Sequence, residues 1–476
     1  MEKTKGISFP TLVLMVITSA IGAGIFDLPR TLAQAATPGA ALVAWALTGV
    51  GVLMLALTLN DLVLNKSKLT GISDYARDGF GDFTGFISGW GYWLSTWLGN
   101  VAFATMLMSA FGYFFPSLAS GNSLQALIIA AIISFLLTIL VSRGVESAAF
   151  INAIVTVCKL IPLFVFAVFA IIGFQSGIFT ANFWQNFYVN ASGTQIQFGP
   201  ASFSGIMEQV KGCIMALMWV FVGMEGASMM AGRARKKTDA GKATIVGFLS
   251  LIFIYVIISM LPFGYFSADE FLNLGAPALV YLFEDMVGSF GGVFISIGLI
   301  VSILAAWLSW TMLPVEATSQ MADQELLPKW FGKLNKYGAP ANSLWLTESL
   351  LVAFLFSLLF TDEAYNFAYS LCTASIMICY AIVGAYQLKR GIENKSPRIA
   401  IIGFLALAFQ LFALLLAGLQ YVWICSIAYV LGFVFYIIAR KHHGKTLLKS
   451  EWIAMSLITL LALGAVVFMA TGKLSF

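Results

Sequence analysis

The sequence predicts an all-α polytopic membrane protein, and three observations carry that prediction. Of the 476 residues 60% are hydrophobic and only 10% are charged. Apolar runs long enough to cross a bilayer recur along the whole chain, and basic residues gather on one side of them. A water-soluble chain of this size carries roughly a quarter of its residues as charges. With a mean hydropathy of +0.91, most of the surface must face lipid.

A hydrocarbon core about 30 Å thick takes roughly 20 residues of helix. Runs of that order lie at 9–33, 39–64, 84–114, 124–142, 147–174, 204–231, 241–266, 288–318, 341–360, 364–387, 399–419, 421–439 and 452–472. Several exceed 25 residues, as tilted or broken helices do. The last run is set apart by a charged stretch, so the expectation is twelve or thirteen spans. The positive-inside rule orients them. With Lys3 and Lys5 on the cytoplasmic side, that side also holds Lys66, Arg77, Arg143, the 233–237 cluster, Lys329, Lys389, Arg390, Arg440 and Lys445. The outer side holds only Arg30 and Lys473, while the outer loop at 267–287 is acidic through Asp269, Glu270, Glu284 and Asp285. The expectation is a multi-pass protein of the cytoplasmic membrane with its N-terminus inside.

The same composition excludes several functions. Cys158, Cys213, Cys372, Cys379 and Cys425 all sit in apolar runs without CxxC or CxxH spacing, and read as small buried hydrophobes. The two histidines, His442 and His443, share one basic tail, which leaves no histidine metal site or triad. No cofactor motif or nucleic-acid motif is present, and nothing in the sequence sets an oligomeric state. The first apolar run is long and glycine-rich in its middle, unlike a cleavable signal peptide. A channel lacks its filter repeat, and a membrane enzyme lacks an intramembrane histidine, HExxH or acid pair.

Two spans carry glycine clusters in mid-membrane. Span 1 reads Ser19-Ala20-Ile21-Gly22-Ala23-Gly24-Ile25-Phe26, and span 6 reads Trp219-Val220-Phe221-Val222-Gly223-Met224-Glu225-Gly226. A single such glycine is ordinarily a packing contact. These two clusters lie five helices apart, and because five is odd the second set of five runs inverted. Interrupted segments at matching places of two inverted halves mark the central site of a transporter. Unwinding frees N–H groups at the start of the second half-helix, which favour a carboxylate. It also frees C=O groups at the end of the first half-helix, which accept from an ammonium. An α-amino acid presents that pair of charges.

The runs GAGIFDLP, GDFTGFISGWGYWLSTWLGN, WVFVGMEGASMMAGRARKKTDAGKATIVGF and WLSWTMLPVEATSQMADQELLPKWFGKLNKYGAPANSLWLT resemble the amino acid–polyamine–organocation superfamily, and within it the basic amino acid/polyamine antiporters, above all the arginine–ornithine exchanger type. The resemblance covers about residues 8–390. It implies a LeuT-type five-plus-five inverted repeat with helices 1 and 6 broken. The first repeat would be 1–175 and the second 204–390, with two or three accessory helices in 391–476. It further implies exchange of a small cationic amino acid for a related amino acid or amine. Histidine–histamine exchange, agmatine–putrescine exchange and proton-coupled uptake stay open as alternatives.

Residue by residue, the resemblance implies that Ile21, Gly22, Ala23 and Gly24 form the carboxylate-binding segment. A serine is frequent in relatives where Ala23 stands, so here backbone N–H groups alone would serve. Trp219 and Val222 would face the substrate from span 6. Ser95, Thr96, Asn100 and Phe103 of span 3 would line its side-chain subsite, with Trp310 of span 8 as an aromatic wall and Cys372 of span 10 beside it. An aromatic ring in a span is ordinarily packing, whereas the Asn100 amide must find a partner in lipid.

Charged residues inside the membrane are functional hypotheses by default. Glu225 follows the span 6 break and matches the family's gating carboxylate; it gates, pairs with a substrate cation, or caps locally. Lys159, in mid-span 5, falls where sodium-coupled cousins bind the ion. Its ammonium would tether the unwound part of helix 1 and make sodium unnecessary. Asp27 follows the first break, as a cap or as a selector for cations. Glu208 and Lys211 are spaced to pair with each other, and Glu316 and Glu348 are expected near helix ends, in solvent.

Overall fold

The computed structural model describes residues 7–66, 68–69, 71–144, 148–189, 195–226, 234–360 and 364–471. Lys3, Lys5, Arg233 and Lys473 lie outside the described residues, as do residues 227–231 of span 6.

Each of the thirteen expected spans contains a helix. The first is broken. Pro10 stands in the first turn of α1 (Phe9–Ala20), where a missing N–H costs nothing. The helix ends at Ile21, whose backbone is extended (φ −75°, ψ 94°). A new helix, α2 (Gly24–Ala33), starts at an angle of 53° to it. Then follow α3 (Pro38–Asn65), a short α4 (Ile72–Phe80) and α5 (Asp82–Gly112). Next come α6 (Leu124–Ser142), α7 (Ala148–Gly173) and the one-turn α8 (Ser176–Thr180). The Ser123 hydroxyl caps α6 by accepting from the Ala126 N–H at 3.2 Å, the contact that favours serine there.

The second break is as clear as the first. α9 (Phe203–Trp219) stops at Trp219, and residues 220–225 turn through short-range bonds such as Val222 N–H to Trp219 C=O at 3.1 Å. Gly223 has φ +99°, a left-handed backbone in which a side chain is strained. Beyond it run α10 (Lys237–Met260), α11 (Ala268–Leu272), α12 (Ala278–Val287), α13 (Ser289–Asp323), α14 (Ala341–Ser357), α15 (Ala364–Glu393), α16 (Pro397–Ala417), α17 (Leu419–His442) and α18 (Lys449–Ala470). Among the described residues ten helices are long and apolar enough to cross a membrane, and the bent α1–α2 pair makes an eleventh. α7 and α9 occupy the places of spans 5 and 6.

Burial separates the centre from the rim. The apolar stretches of α5 and α15 are 94% and 89% buried, against 28% for α16 and 17% for α18. The first pair therefore forms the core of the bundle, and the last helices present themselves to lipid. Small residues let α5 be approached closely: a Cβ on Gly99 would stand 2.5 Å from the Trp310 ring.

The two ends of the bundle differ in charge. At the basic end α4, which the hydropathy pattern does not announce, is tied in by ion pairs, Lys66–Asp78 at 2.8 Å and Arg77–Asp82 at 2.7 Å, while Arg390–Asp61 at 2.8 Å joins α15 to α3. At the acidic end the 175–203 loop forms a hairpin, with β1 (Asn186–Val189) antiparallel to β2 (Ile196–Gly199). That end also carries α11 and α12. The Ile196 N–H donates to Asp269 at 2.7 Å, and the Tyr113 hydroxyl donates to Glu284 at 2.9 Å.

Glu348 corrects one expectation. It is not solvated: it is 6% exposed, and its Oε2 accepts from Ser134 at 2.7 Å and Thr138 at 2.9 Å. Hydroxyls one helical turn apart on α6 make a pocket for a carboxyl on α14, a pairing between distant segments that no local pattern announces. Glu316 is exposed as expected, and Lys211 pairs with Glu208 at 3.1 Å.

Candidate substrate site between the two helix breaks

The two breaks meet. A Cβ built on Gly223 would lie 2.7 Å from the Ser19 carbonyl oxygen, so only glycine lets the span 6 turn pass against the end of α1. Between the breaks is a small cavity lined by Ala20, Gly22, Ala23, Gly24, Phe103, Trp219, Val220, Val222 and Trp310. Seven of the residues named from sequence thus come together around one space. Among the described residues the Gly22 and Ala23 N–H groups have no acceptor within the protein. Such amides at a helix start suit an anion.

Ile21 plays a different part. Its side chain is buried, and its carbonyl accepts from the Lys159 ammonium at 2.7 Å, while the Thr18 carbonyl accepts from the same ammonium at 2.6 Å. Lys159 is fully buried. The cation therefore holds the last carbonyls of α1 in place, as its position suggests from sequence.

Three rings close over the cavity. Phe103 and Trp310 approach to 5.2 Å between centroids, Phe103 and Trp219 to 5.8 Å, and Trp219 and Trp310 to 5.9 Å. The remaining volume is about 10 Å³, room for one water molecule at most. A larger cavity of about 470 Å³ at the acidic end is walled by Phe187, Phe198, Phe263, Phe266 and Phe271 and touches neither break beyond the far end of α2.

The side-chain subsite is only partly as expected. The Ser95 hydroxyl meets the Cys372 thiol at 3.3 Å, bringing α5 and α15 together as predicted. Asn100 is 1% exposed, and its Oδ1 has no partner. The Trp310 indole N–H, 2% exposed on its residue, has none either. Two orphaned polar atoms beside an aromatic cluster are costly unless something else satisfies them. The Thr96 hydroxyl is spent on its own helix, on Tyr92 C=O at 3.0 Å and Trp93 C=O at 2.9 Å.

The charged residues flank this space. Glu225 is 2% exposed; its Oε2 accepts from the Tyr380 hydroxyl at 2.7 Å and the Gly223 N–H at 3.1 Å. Asp27, 1% exposed, is forked by Arg30 (Nη2 at 2.8 Å, Nε at 3.2 Å) and accepts from the Ala278 N–H at 2.9 Å. It thus ties α2 to the start of α12 rather than capping its own helix.

Sequence reasoning missed four tyrosines. Tyr92 lies one turn before Ser95 and Thr96 on α5. Tyr365, Tyr369 and Tyr380 lie at helical spacing along the face of α15 that carries Cys372. Extending each predicted face by one or two turns is the signal that finds them.

Comparison with known proteins follows the geometry. Residues 7–461 match the amino acid permease family. An arginine/ornithine antiporter of Lactococcus lactis subsp. cremoris is 51% identical over 473 residues, covering 98% of this chain and 90% of the relative. One from Latilactobacillus sakei is 50% identical, covering 99% of both chains. An arginine/agmatine antiporter of Chlamydia pneumoniae is 33% identical, again with 99% of each covered.

Proposed function

The chain belongs to the amino acid permease family, and from that membership and the site's geometry we propose that it exchanges arginine for ornithine across the cytoplasmic membrane. It does so by alternating access, without sodium and with its N-terminus in the cytoplasm. The observation that carries this reading is the meeting of two unwound stretches over a closed aromatic cavity, with free Gly22 and Ala23 amides on one wall. The substrate α-carboxylate binds those amides, and its α-ammonium binds carbonyls freed by the span 6 turn. Its side chain runs toward Asn100, Ser95 and Cys372. Phe103 and Trp310 offer ring faces to the cationic end, where a guanidinium gains about 1–2 kcal/mol once desolvated.

Glu225 fits gating better than substrate pairing, because Tyr380 and Gly223 already donate to its carboxylate. Lys159 holds α1 through the Thr18 and Ile21 carbonyls where a bound sodium would otherwise do so, and on this reading the exchange needs none. Residues 1–175 and 204–390 act as the two inverted repeats, and 391–476 as accessory helices. Ornithine is preferred to agmatine as the counter-substrate because the relatives near 50% identity are named for it, and that named for agmatine is at 33%.

Counterflow in proteoliposomes tests this. Labelled arginine should accumulate in vesicles preloaded with ornithine, equally well in sodium or choline, and not in empty vesicles. Accumulation into empty vesicles driven by a sodium or pH gradient would overturn the exchange reading.

A further inference from the structure

The helix α15 serves as a ruler through the bundle. At 1.5 Å per residue, Tyr365 stands about 10 Å from Cys372 toward the acidic end. Tyr380 stands about 12 Å from Cys372 toward the basic end, where Arg390 lies. The site is therefore bracketed on one helix by two tyrosine hydroxyls. Tyr380 engages Glu225. Tyr365 engages Trp219, whose indole N–H donates to its hydroxyl at 3.0 Å.

Trp219 is held on its remaining sides as well. Its ring lies nearly parallel to Tyr369, 6.0 Å between centroids with 16° between planes. Tyr369 in turn meets Tyr365 edge-on at 5.1 Å. Toward the cavity the ring meets Phe103 and Trp310. Trp219 is the last residue of α9, so the turn that follows gives it a hinge. A Cβ at Gly24 would strike it at 2.9 Å, so the ring lies directly over the helix 1 break. The ring thus stands between the Tyr365 hydroxyl and the helix 1 break.

We propose that Tyr365 is a positioning residue of the acidic-end gate: its hydroxyl latches Trp219 closed over the site and sets how fast substrate leaves by that side. This rests on the reading that the space between the breaks binds the substrate. Closure at this end then depends on one neutral hydrogen bond and a stack, whereas the other end is closed by a buried carboxylate that accepts from Tyr380 and Gly223. Losing a single neutral bond changes an equilibrium by about fivefold.

The test uses the full-length protein labelled with 5-fluorotryptophan, with the Trp219 resonance assigned through Trp219→Phe. Saturating arginine should shift that resonance in wild type. In Tyr365→Phe, the arginine-bound resonance should move toward the ligand-free position. Arginine should dissociate about fivefold faster, with KM raised from the acidic-end side alone. In a Trp219→Phe background, Tyr365→Phe should have no further effect, since the latch has lost its donor. Wild-type dissociation in Tyr365→Phe, or a full effect that persists without Trp219, would overturn the latch. An arginine-saturated wild type with an unmoved Trp219 resonance would overturn the substrate site itself, and the latch with it.

Discussion

Replacing Lys159 with Met removes the ammonium and keeps the length of the side chain. Two contacts vanish, at 2.6 Å to the Thr18 carbonyl and 2.7 Å to the Ile21 carbonyl. Both carbonyls stand at the end of α1, where no helical N–H follows to replace the donor. Each orphaned carbonyl costs about 1–3 kcal/mol, together about 2–6 kcal/mol. Against this, removing a fully buried cation relieves a desolvation penalty of several kcal/mol. The two terms are of similar size, so the melting temperature in detergent should move little. Function has no such compensation, because the carbonyls lose the group that fixes their direction. If half the orphaning cost falls on the substrate-competent geometry, the loss is about 1–3 kcal/mol, or roughly 5- to 150-fold in exchange rate. Counterflow of labelled arginine against internal ornithine measures it, beside a thermal melt of the same preparation. Exchange within twofold of wild type would refute the tether. A collapse of the melt with proportionate loss of exchange would reduce Lys159 to a structural support.

Gly24→Val places a branched side chain 2.8 Å from Val220 and 2.9 Å from the Trp219 ring; overpacking of this kind costs about 1–3 kcal/mol. Exchange should be lost while membrane abundance is kept, and near-normal arginine affinity would sink the site. Asn100→Ala removes the unpartnered amide oxygen and should weaken arginine binding by about 1–3 kcal/mol by titration calorimetry; an unchanged Kd would remove span 3 from the site. Glu225→Gln keeps the shape but turns the charged acceptor of Tyr380 and Gly223 into a neutral one, so binding should survive while exchange slows at least about tenfold. A selective fall in affinity for cationic over neutral substrates would indicate direct pairing instead. At the basic end, bonds from Lys66 and Tyr386 hold the Asp78 carboxyl below its ordinary value of 3.8. A depressed carboxylate contributes its stability above that ordinary value and loses it only as pH falls through the lower, folded one. Exchange should therefore be indifferent to this latch between about pH 5 and 8; an Asp78-dependent drop inside that window would contradict the assignment.

What could be read from sequence divides along a physical line. Helix positions were legible because lipid enforces hydropathy residue by residue, and both breaks were legible because Gly22 and Gly24 must be small against the Phe103 and Trp219 rings and Gly223 against the Ser19 carbonyl. Lys159 was legible because a lone cation in an apolar span has to find carbonyls, and those of helix 1 are the ones left free. The tyrosines were not, since a tyrosine in a span is equally at home as packing; only the partner across the bundle, Glu225 for Tyr380 or Trp219 for Tyr365, gives it a role. Glu348 was misplaced for the same reason. Its position along α14 says nothing of Ser134 and Thr138 on α6. The short α4 and the hairpin at 186–199 lie outside the bilayer pattern, where hydropathy carries no signal.

The two closures differ in kind, which bears on which step limits exchange. At the basic end the ion pairs are numerous: Asp78 with Lys66, Asp82 with Arg77 and Arg440, Glu325 with Lys445. Most are partly exposed, and such pairs are worth about 0–1 kcal/mol each. They also re-form with water and salt when parted, so their number does not make a barrier. The Glu225 knot is different. It is 2% exposed, and opening strips donors from a carboxylate that has no water to replace them, a cost of several kcal/mol if uncompensated. A bound substrate that reshapes the span 6 turn at Gly223 acts on one of those donors directly. The empty carrier has no such lever. On the gating role proposed for Glu225, coupling between loading and opening rests on one backbone N–H shared by the break and the carboxylate, and an exchanger that rarely turns over empty follows from that sharing.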